Sequence, residues 1–326
     1  MKAIVLKDAG PNYRLELAEI PTPLPGKGEI LIKVAAAGVN RADLLQARGA
    51  YPPPPGAPET LGMEVSGYVA AVGAGAGPYR TGDAVCALLG GGGYAEYALA
   101  QIECVLPLPS SLDPVDAAAL PEALFTAWTN IVDTGRLKSG ETLLVHGGTS
   151  GIGVAAIQMF SALDHDVYAT AGSDEKCRLC EQLGARRAIN YRNQDFVTVT
   201  QAATDGKGID VILDMVGGDY VQRNMTAAAV WGRIVNIAYQ SGAKMPLDLS
   251  PMLRKRLTLA ATTLRGRTLS EKGAIRDALA ERIWPLVATD RIRPVVDNRF
   301  ALSEAQIAHQ RMASGDHAGK ILLIPD

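Results

Sequence analysis

The sequence predicts an α/β chain with two parts, a doubly wound parallel sheet in its centre and a β-rich segment ahead of it. Three observations carry this expectation. The first is residues 142–160, TLLVHGGTSGIGVAAIQMF, which join a short apolar run of parallel-strand length to a glycine-dense turn and a helical stretch. The second is the strict alternation of strand-like and helix-like segments that follows it, the pattern of a parallel sheet with helical crossovers. The third is the texture of residues 1–121, where short β-prone runs are punctuated by Pro and Gly, as in a small barrel or sandwich.

In the first part, Ala3–Leu6, Ile30–Ala35, Val65–Val72, Ala84–Leu88 and Tyr94–Leu99 are the β-prone runs. They are separated by Pro21-x-Pro23-x-Pro25-Gly26, by Tyr51-Pro52-Pro53-Pro54-Pro55-Gly56, by the glycines of 73–77 and by Gly90–Gly93. Pro78 follows Gly73-x-Gly75-x-Gly77 where a helix should begin, so that spacing is a turn and not a nucleotide loop. From residue 114 the period changes. Asp113-Pro114 predicts a helix start with Pro at its first position, Pro121 predicts an interruption, and Ala123–Val132 predicts its continuation.

Beyond the first central strand, Thr142–His146, and the helix expected from Val154, the alternation runs as follows. Strand Asp166–Ala171, helix Glu175–Leu183, strand Ala188–Asn190 and helix Asp195–Ala203 come first; strand Asp210–Asp214, helix Tyr220–Ala228 and strand Gly232–Ile237 complete it. The tail predicts helices over Ala274–Leu286 and Ser303–Ser314, the second with Ser303-x-x-Gln306 as a capping box, and a final strand over Lys320–Ile324. Such a tail is expected to return to the first part. The expected domains are therefore 1–121 with 266–326, and 122–265.

Gly151-x-Gly153-x-x-Ala156 fits the dinucleotide fingerprint, whose small residues allow a tight turn and close approach of a pyrophosphate to a helix N-terminus. An NAD site usually places a carboxylate about 20 residues further on, to hold the ribose 2′-hydroxyl. Here that count lands on Ala171-Gly172-Ser173, with Lys176 and Arg178 on the next helical turn. A hydroxyl and cations suit a 2′-phosphate, so NADPH is expected over NADH. Asp174 argues the other way, although it suits a helix cap.

Composition excludes several classes. Net charge of −2 gives no electrostatic reason for a nucleic-acid or anionic-membrane partner. No window approaches the roughly 18 apolar residues of a membrane span, and the N-terminus lacks a signal-peptide core, so a cytoplasmic location is expected. With four scattered cysteines, disulfides are not the scaffold. Cys177-x-x-Cys180 lies inside a predicted helix without a second pair, and no cluster of His, Cys and carboxylates has zinc-site spacing. No metal is expected. Ser150 lacks the Gly-x-Ser-x-Gly elbow of a hydrolase. Hydride transfer needs mainly orientation of a cofactor, which fits a chain poor in acid–base groups.

The block Gly38-Val39-Asn40-Arg41-Ala42-Asp43-Leu44-Leu45-Gln46-x-x-Gly49-x-Tyr51-Pro52-x-Pro54-Pro55-Gly56 resembles the quinone oxidoreductases of the medium-chain dehydrogenase/reductase superfamily. Leu61–Gly67, Gly92–Tyr97, Ala119–Ala123, Gly147–Gly153 and Ala318–Ile321 look like further blocks of that family, so the resemblance spans the chain. It is closest to the zeta-crystallin-like NADPH:quinone reductases.

That resemblance implies a GroES-like β-rich catalytic domain built from both termini, a Rossmann domain between, a site in the interdomain cleft, and a homodimer joined through the Rossmann sheets. Zinc-containing relatives place a Cys where this chain has Asn40 and a His where it has Met63, and they carry a four-cysteine lobe without counterpart here. By the same resemblance Asn40 and Thr126 lie by the nicotinamide and Tyr51 faces the quinone; Asn40 and Tyr51 are the expected catalytic residues, Asn40 orienting the carbonyl or the ring and Tyr51 supplying a hydroxyl or a stacking face. Ser150, Gly151, Ile152 and Gly153 contact the pyrophosphate, and Ser173, Lys176 and Tyr191 surround the 2′-phosphate. Gly217, Asn236, Ile237, Ala238, Leu264, Arg265 and Lys320 line the cofactor. The implied activity is NADPH-dependent quinone reduction. Reduction of an activated C=C bond is a second possibility, and a mainly non-catalytic NADPH- and RNA-binding protein a third.

Overall fold

The computed structural model describes residues 1–326, which fall into two compact units, 1–125 with 265–326, and 126–264. The first unit opens with β1 (Lys2–Lys7) and β2 (Arg14–Glu19), an antiparallel pair. β2 has no counterpart among the expected strands. Its sequence RLELAE buries only Leu15 fully, so its apolar alternation is too thin to register. Next come β3 (Glu29–Val39), α1 (Arg41–Ala47), β4 (Glu64–Val72), β5 (Ala84–Leu88), β6 (Tyr97–Gln101) and β7 (Val105–Pro107).

Pro114 does not start an α-helix. Asp113 instead caps a short turn through Val115 and Asp116, a 3-10 turn covers Asp116–Ala119, and α2 (Pro121–Trp128) begins at Pro121. The proline expected to interrupt thus occupies the first helical position, where its missing N–H costs nothing. The helix widens into a π-turn over Thr129–Thr134.

The second unit is the alternating one: β8 (Leu143–Val145), α3 (Gly151–Ala162), β9 (Val167–Ala171), α4 (Asp174–Gln182), β10 (Arg187–Asn190), α5 (Phe196–Ala203), β11 (Ile209–Asp214), α6 (Tyr220–Ala227), β12 (Ala228–Asn236), α7 (Ser250–Lys255) and β13 (Thr258–Ala261). All of its strands are parallel, in the order β10-β9-β8-β11-β12-β13. Counted from β8, this is 3-2-1-4-5-6, the Rossmann order. Leu144, Ile212 and Ile234 pack beneath Phe196, Val221 and Met225 of the crossover helices. Each such side chain contributes roughly 1.5–3 kcal/mol by leaving water.

Two elements of the tail differ from expectation. The helix expected over 274–286 is α8 (Leu269–Arg282) followed by α9 (Trp284–Ala288). Thr268 and Glu271 form a reciprocal cap that starts α8 early, and Pro285 forces the break. After β14 (Val296–Ala301), α10 (Ala305–Ser314) starts without the Ser303–Gln306 box. Ser303 donates to Asp326 at 2.8 Å, and Gln306 accepts from the Leu15 backbone at 2.9 Å. Both side chains are drawn off by partners remote in sequence. β15 (Lys320–Ile324) pairs antiparallel with β3 and completes a seven-stranded sheet around Ile30, Ile32, Val65, Val85, Ile321 and Leu323. No helix is long and apolar enough to cross a membrane.

Candidate functional site

In the parallel sheet, registers such as Val145 with Ala169, Leu213 with Val145 and Asp214 with Asn236 bring every strand's carboxyl end to one edge. Ligands of such sheets bind where the strand order reverses, here between β8 and β11. The loop after β8 meets that need. Gly147 holds a φ of +67°, and a Cβ there would lie 2.9 Å from the Met215 sulfur. A Cβ on Gly153 would lie 2.7 Å from the Gly148 carbonyl group, so only glycine lets α3 start this close to the loop. Ser150 caps α3, its Oγ accepting from the Gly153 N–H at 3.0 Å. That cap is why the helix begins at Gly151, ahead of the expected Val154. The N–H groups of Gly151 and Ile152 precede any intrahelical acceptor and are the donors a pyrophosphate takes.

At the end of β9, Ser173 caps α4 by accepting from the Lys176 N–H at 3.2 Å. A Cβ on Gly172 would lie 2.6 Å from the Tyr191 hydroxyl, which places Tyr191 against the same strand end. Asp174, the nearest carboxylate, accepts from Asn190 Nδ2 at 2.6 Å. It is therefore engaged between α4 and β10. The strand end itself presents a hydroxyl, a lysine one turn on, and a tyrosine.

At the ends of β11 and β12 sits a network that no sequence motif announced. The buried Asp214 carboxylate accepts from the backbone of Val216 (2.6 Å) and Gly217 (3.1 Å), and from Asn224 Nδ2 (3.0 Å) and Asn236 Nδ2 (2.9 Å). Asn224 Oδ1 in turn meets His146 Nε2 at 2.8 Å, and His146 Nδ1 meets Thr170 Oγ1 at 3.1 Å. Burial holds the His146 pKa below its ordinary value. Asn236 and Gly217 are thus anchored to one carboxylate, and the Ile237 N–H donates to the Asp214 carbonyl at 2.8 Å. The only signal in the sequence was a carboxylate closing an apolar strand. Ala238 follows on the same turn. Thr126 is buried on α2, where its carbonyl accepts from Asn130 Nδ2 at 2.9 Å, and Leu264 is buried at the end of the unit.

The first unit holds Asn40, Tyr51, Arg265 and Lys320, and the structure sorts them into two pairs. Asn40 caps α1; its backbone N–H donates to Asp43 at 2.8 Å. Its amide Oδ1 accepts from Lys320 Nζ at 2.6 Å, and its Nδ2 donates to Glu64 Oε1 at 2.8 Å. Lys320 also pairs with Glu64, whose second oxygen accepts from the Glu122 N–H at 2.9 Å. Glu64 and Lys320 are both buried, which is tolerable for charges only when each meets the other. Glu64 was not expected in this role; 256 residues separate it from Lys320. Asp43 is wholly buried, and desolvation raises its carboxyl to about 6 despite the donors on it. No hydrogen bond joins Tyr51 to this cluster. It stacks with Arg265, whose guanidinium carbon lies 5.5 Å from the ring centre, while Arg265 Nε and Nη2 donate to the Gly90 carbonyl at 3.1 and 2.7 Å. No group of three or more His, Cys, Asp or Glu side chains is placed to hold a metal ion.

Comparison with known proteins gives these geometries a context. Residues 26–110 match the alcohol dehydrogenase GroES-like domain, and 183–323 match the zinc-binding dehydrogenase family. Over 99% of its length the chain is 32% identical to the quinone oxidoreductase of Lama guanicoe, covering 97% of that protein, and 30% identical to its counterpart in Homo sapiens, covering 98%. The Escherichia coli quinone oxidoreductase solved with NADPH superposes with a TM-score of 0.85 at 29% identity, covering 99% of both chains. The CurK enoyl reductase superposes at 0.83 with 25% identity over the whole chain and 99% of its own. With kinship at this level over its full length, the chain belongs to the quinone oxidoreductase family of the medium-chain dehydrogenase/reductases, a GroES-like domain joined to a Rossmann domain.

Proposed function

We propose that the protein is a metal-independent NADPH:quinone oxidoreductase. The observation that carries the cofactor choice is the end of β9: Ala171-Gly172-Ser173 offers no carboxylate to a ribose 2′-hydroxyl, and Asp174 is taken by Asn190. The cofactor-solved relative supports the same choice. NADPH, when bound, supplies a hydride. The chain's own residues bind and orient it: the α3 N-terminus takes the pyrophosphate, Ser173, Lys176 and Tyr191 take the 2′-phosphate, and Asp214 holds Gly217 and Asn236 beneath the cofactor. Thr126, Leu264 and Arg265 belong to the nicotinamide end, and Tyr51 faces the quinone.

Purified protein should oxidise NADPH with benzoquinones and naphthoquinones, and keep that activity after exhaustive chelation. Absence of turnover with every quinone tried overturns the proposal; loss on chelation overturns metal independence. A second reading, reduction of an activated C=C bond, is favoured by the enoyl reductase likeness. Comparing kcat/KM for quinones and alkenals under one set of conditions decides between them.

The homodimer belongs to the same reading. β13 ends the six-stranded sheet with no strand on its outer side, and Leu259 on it and Trp231 on the adjacent β12 are exposed. An open apolar edge invites a second copy. Sedimentation at the monomer mass would refute this. Four buried free thiols accord with a reducing, cytoplasmic setting.

A further inference from the structure

Arg265 is a buried cation that no carboxylate meets in an ion pair; the charge of Asp43 acts on it only through space. Arg265 is 7% exposed, and its Nη1 is shut from solvent with no hydrogen-bond partner. Nε and Nη2 are tied to the Gly90 carbonyl, so the fork cannot swing to satisfy Nη1 elsewhere. The backbone beneath it is fixed as well, because Lys272 Nζ donates to the Arg265 carbonyl at 2.9 Å. A buried guanidinium donor left empty is expensive unless a ligand fills it, and a guanidinium prefers an oxygen that bears negative charge. Beside it lies Tyr51, half-buried, whose hydroxyl has no hydrogen bond in the structure.

Asn40 cannot supply this service. Its Nδ2 protons go to Glu64 and, at 3.4 Å, to the Gly38 carbonyl, and its Oδ1 takes Lys320. The amide is spent inside the ion-pair cluster and acts as a strut that starts α1. The cofactor's phosphates have their own donors at the carboxyl ends of β8 and β9.

We propose that Arg265 Nη1, with the Tyr51 hydroxyl alongside, receives the oxygen of the substrate as negative charge develops on it. This rests on the reductase reading above and deepens it by naming the group that meets the developing charge, the same for a quinone as for an enone. Such an acceptor takes up hydride, two electrons and one hydrogen, from the reduced nicotinamide, which leaves oxidised. The added pair resides on oxygen as a hydroquinone anion or an enolate, and one proton from water completes the product. A fixed donor aimed at that oxygen stabilises the transition state more than the neutral substrate.

The test uses R265M, R265K and Y51F in the full chain with para-nitrophenol, a stand-in for the hydroquinone anion. Wild type should bind it with the phenol's ionisation displaced toward phenolate, seen in its visible absorbance. R265M should bind it at least about tenfold more weakly with no displacement, and kcat on a quinone should fall by about a hundredfold or more. NADPH affinity, from nicotinamide fluorescence, should fall by less than phenolate affinity does, since Arg265 is expected at the nicotinamide end only and the phosphates keep their own donors. R265K should restore part of the phenolate binding, and Y51F should lose a smaller part; these two carry the test if R265M does not fold. Unchanged phenolate binding in R265M and R265K overturns the proposal. So does a loss confined to NADPH, which would make Arg265 a phosphate ligand. A wild type that reduces neither quinones nor alkenals, yet binds phenolate through Arg265, would refute the reductase reading and uphold the oxyanion site.

Discussion

Replacing His309 by Gln should change how stability responds to acid. His309 lies on α10 and is 1% exposed, with Tyr13 hydroxyl 2.9 Å from Nδ1 and Tyr94 hydroxyl 3.1 Å from Nε2. Tyr94 donates its own proton to Asp43 at 3.1 Å, so its oxygen is left to accept from Nε2–H, and Nδ1 accepts from Tyr13. The ring is thus held neutral, and burial pulls its pKa from 6.5 to about 3. Between those values the unfolded chain binds a proton that the native protein refuses. The contribution is fully present above pH 6.5 and is lost as the pH falls toward about 3. One proton gives a slope of about 1.4 kcal/mol per pH unit, and the whole displacement is worth roughly 5 kcal/mol. Asp43 works in the opposite sense: raised from 3.8 to about 6, it favours the native state below 3.8 and loses that contribution as pH rises through about 6. It stays in the variant and cancels in the comparison.

Gln matches the donor and acceptor pattern but loses the edge-on ring packing against both tyrosines. H309Q should therefore be less stable than wild type at neutral pH by roughly 1–2 kcal/mol. Between about pH 6.5 and 4 it is spared roughly 3 kcal/mol of the acid loss, so the two stability curves should cross. Urea unfolding at half-unit pH steps measures this directly. Parallel curves across that window would show that His309 is not the buried neutral base, and the reasoning would fail.

Further predictions concern the two candidate sites. K176A should raise the dissociation constant for NADPH about tenfold or more and leave NADH nearly unchanged, because one charge-assisted contact to the 2′-phosphate is at stake; equal losses would place that phosphate elsewhere. K320M strands the buried Glu64 carboxylate and should cost about 3–5 kcal/mol, with the melting temperature as readout, whereas the double variant K320M/E64Q should recover much of it. No recovery would mean that Lys320 does not owe its place to Glu64. G153A should abolish cofactor binding through the clash with Gly148, with smaller damage to the melting temperature, as nicotinamide fluorescence and calorimetry would show.

What the sequence determined was the local chemistry. The glycine loop, its strand and its helix lie within 20 consecutive residues, roughly the length of two short elements and a turn, and each glycine answers a steric demand of its neighbours. The alternation of strands and helices from β8 to β12 is equally local, because each element must bury one face of its own periodicity. The lack of a carboxylate at the end of β9 could be read by counting. Capping was not legible: Ser150 and Ser173, read as cofactor contacts, cap α3 and α4, Asp174, read as a cap, is held by Asn190, and Ser303 and Gln306 are claimed by Asp326 and Leu15.

Tertiary structure decided which polar side chains meet. Lys320 finds Asn40 across 280 residues, and Arg265 finds Gly90 across 175. Nothing in the periodicity of either segment encodes those pairings, because a buried charge is stabilised by whatever the sheet register delivers opposite it. β15 against β3 places Ile321 beside Val39, and so sets Lys320 beside Asn40, the residue that follows β3. The same register spends the Asn40 amide on Glu64 and Lys320, whereas Arg265, tied to Gly90 by Nε and Nη2, keeps an Nη1 with no hydrogen-bond partner.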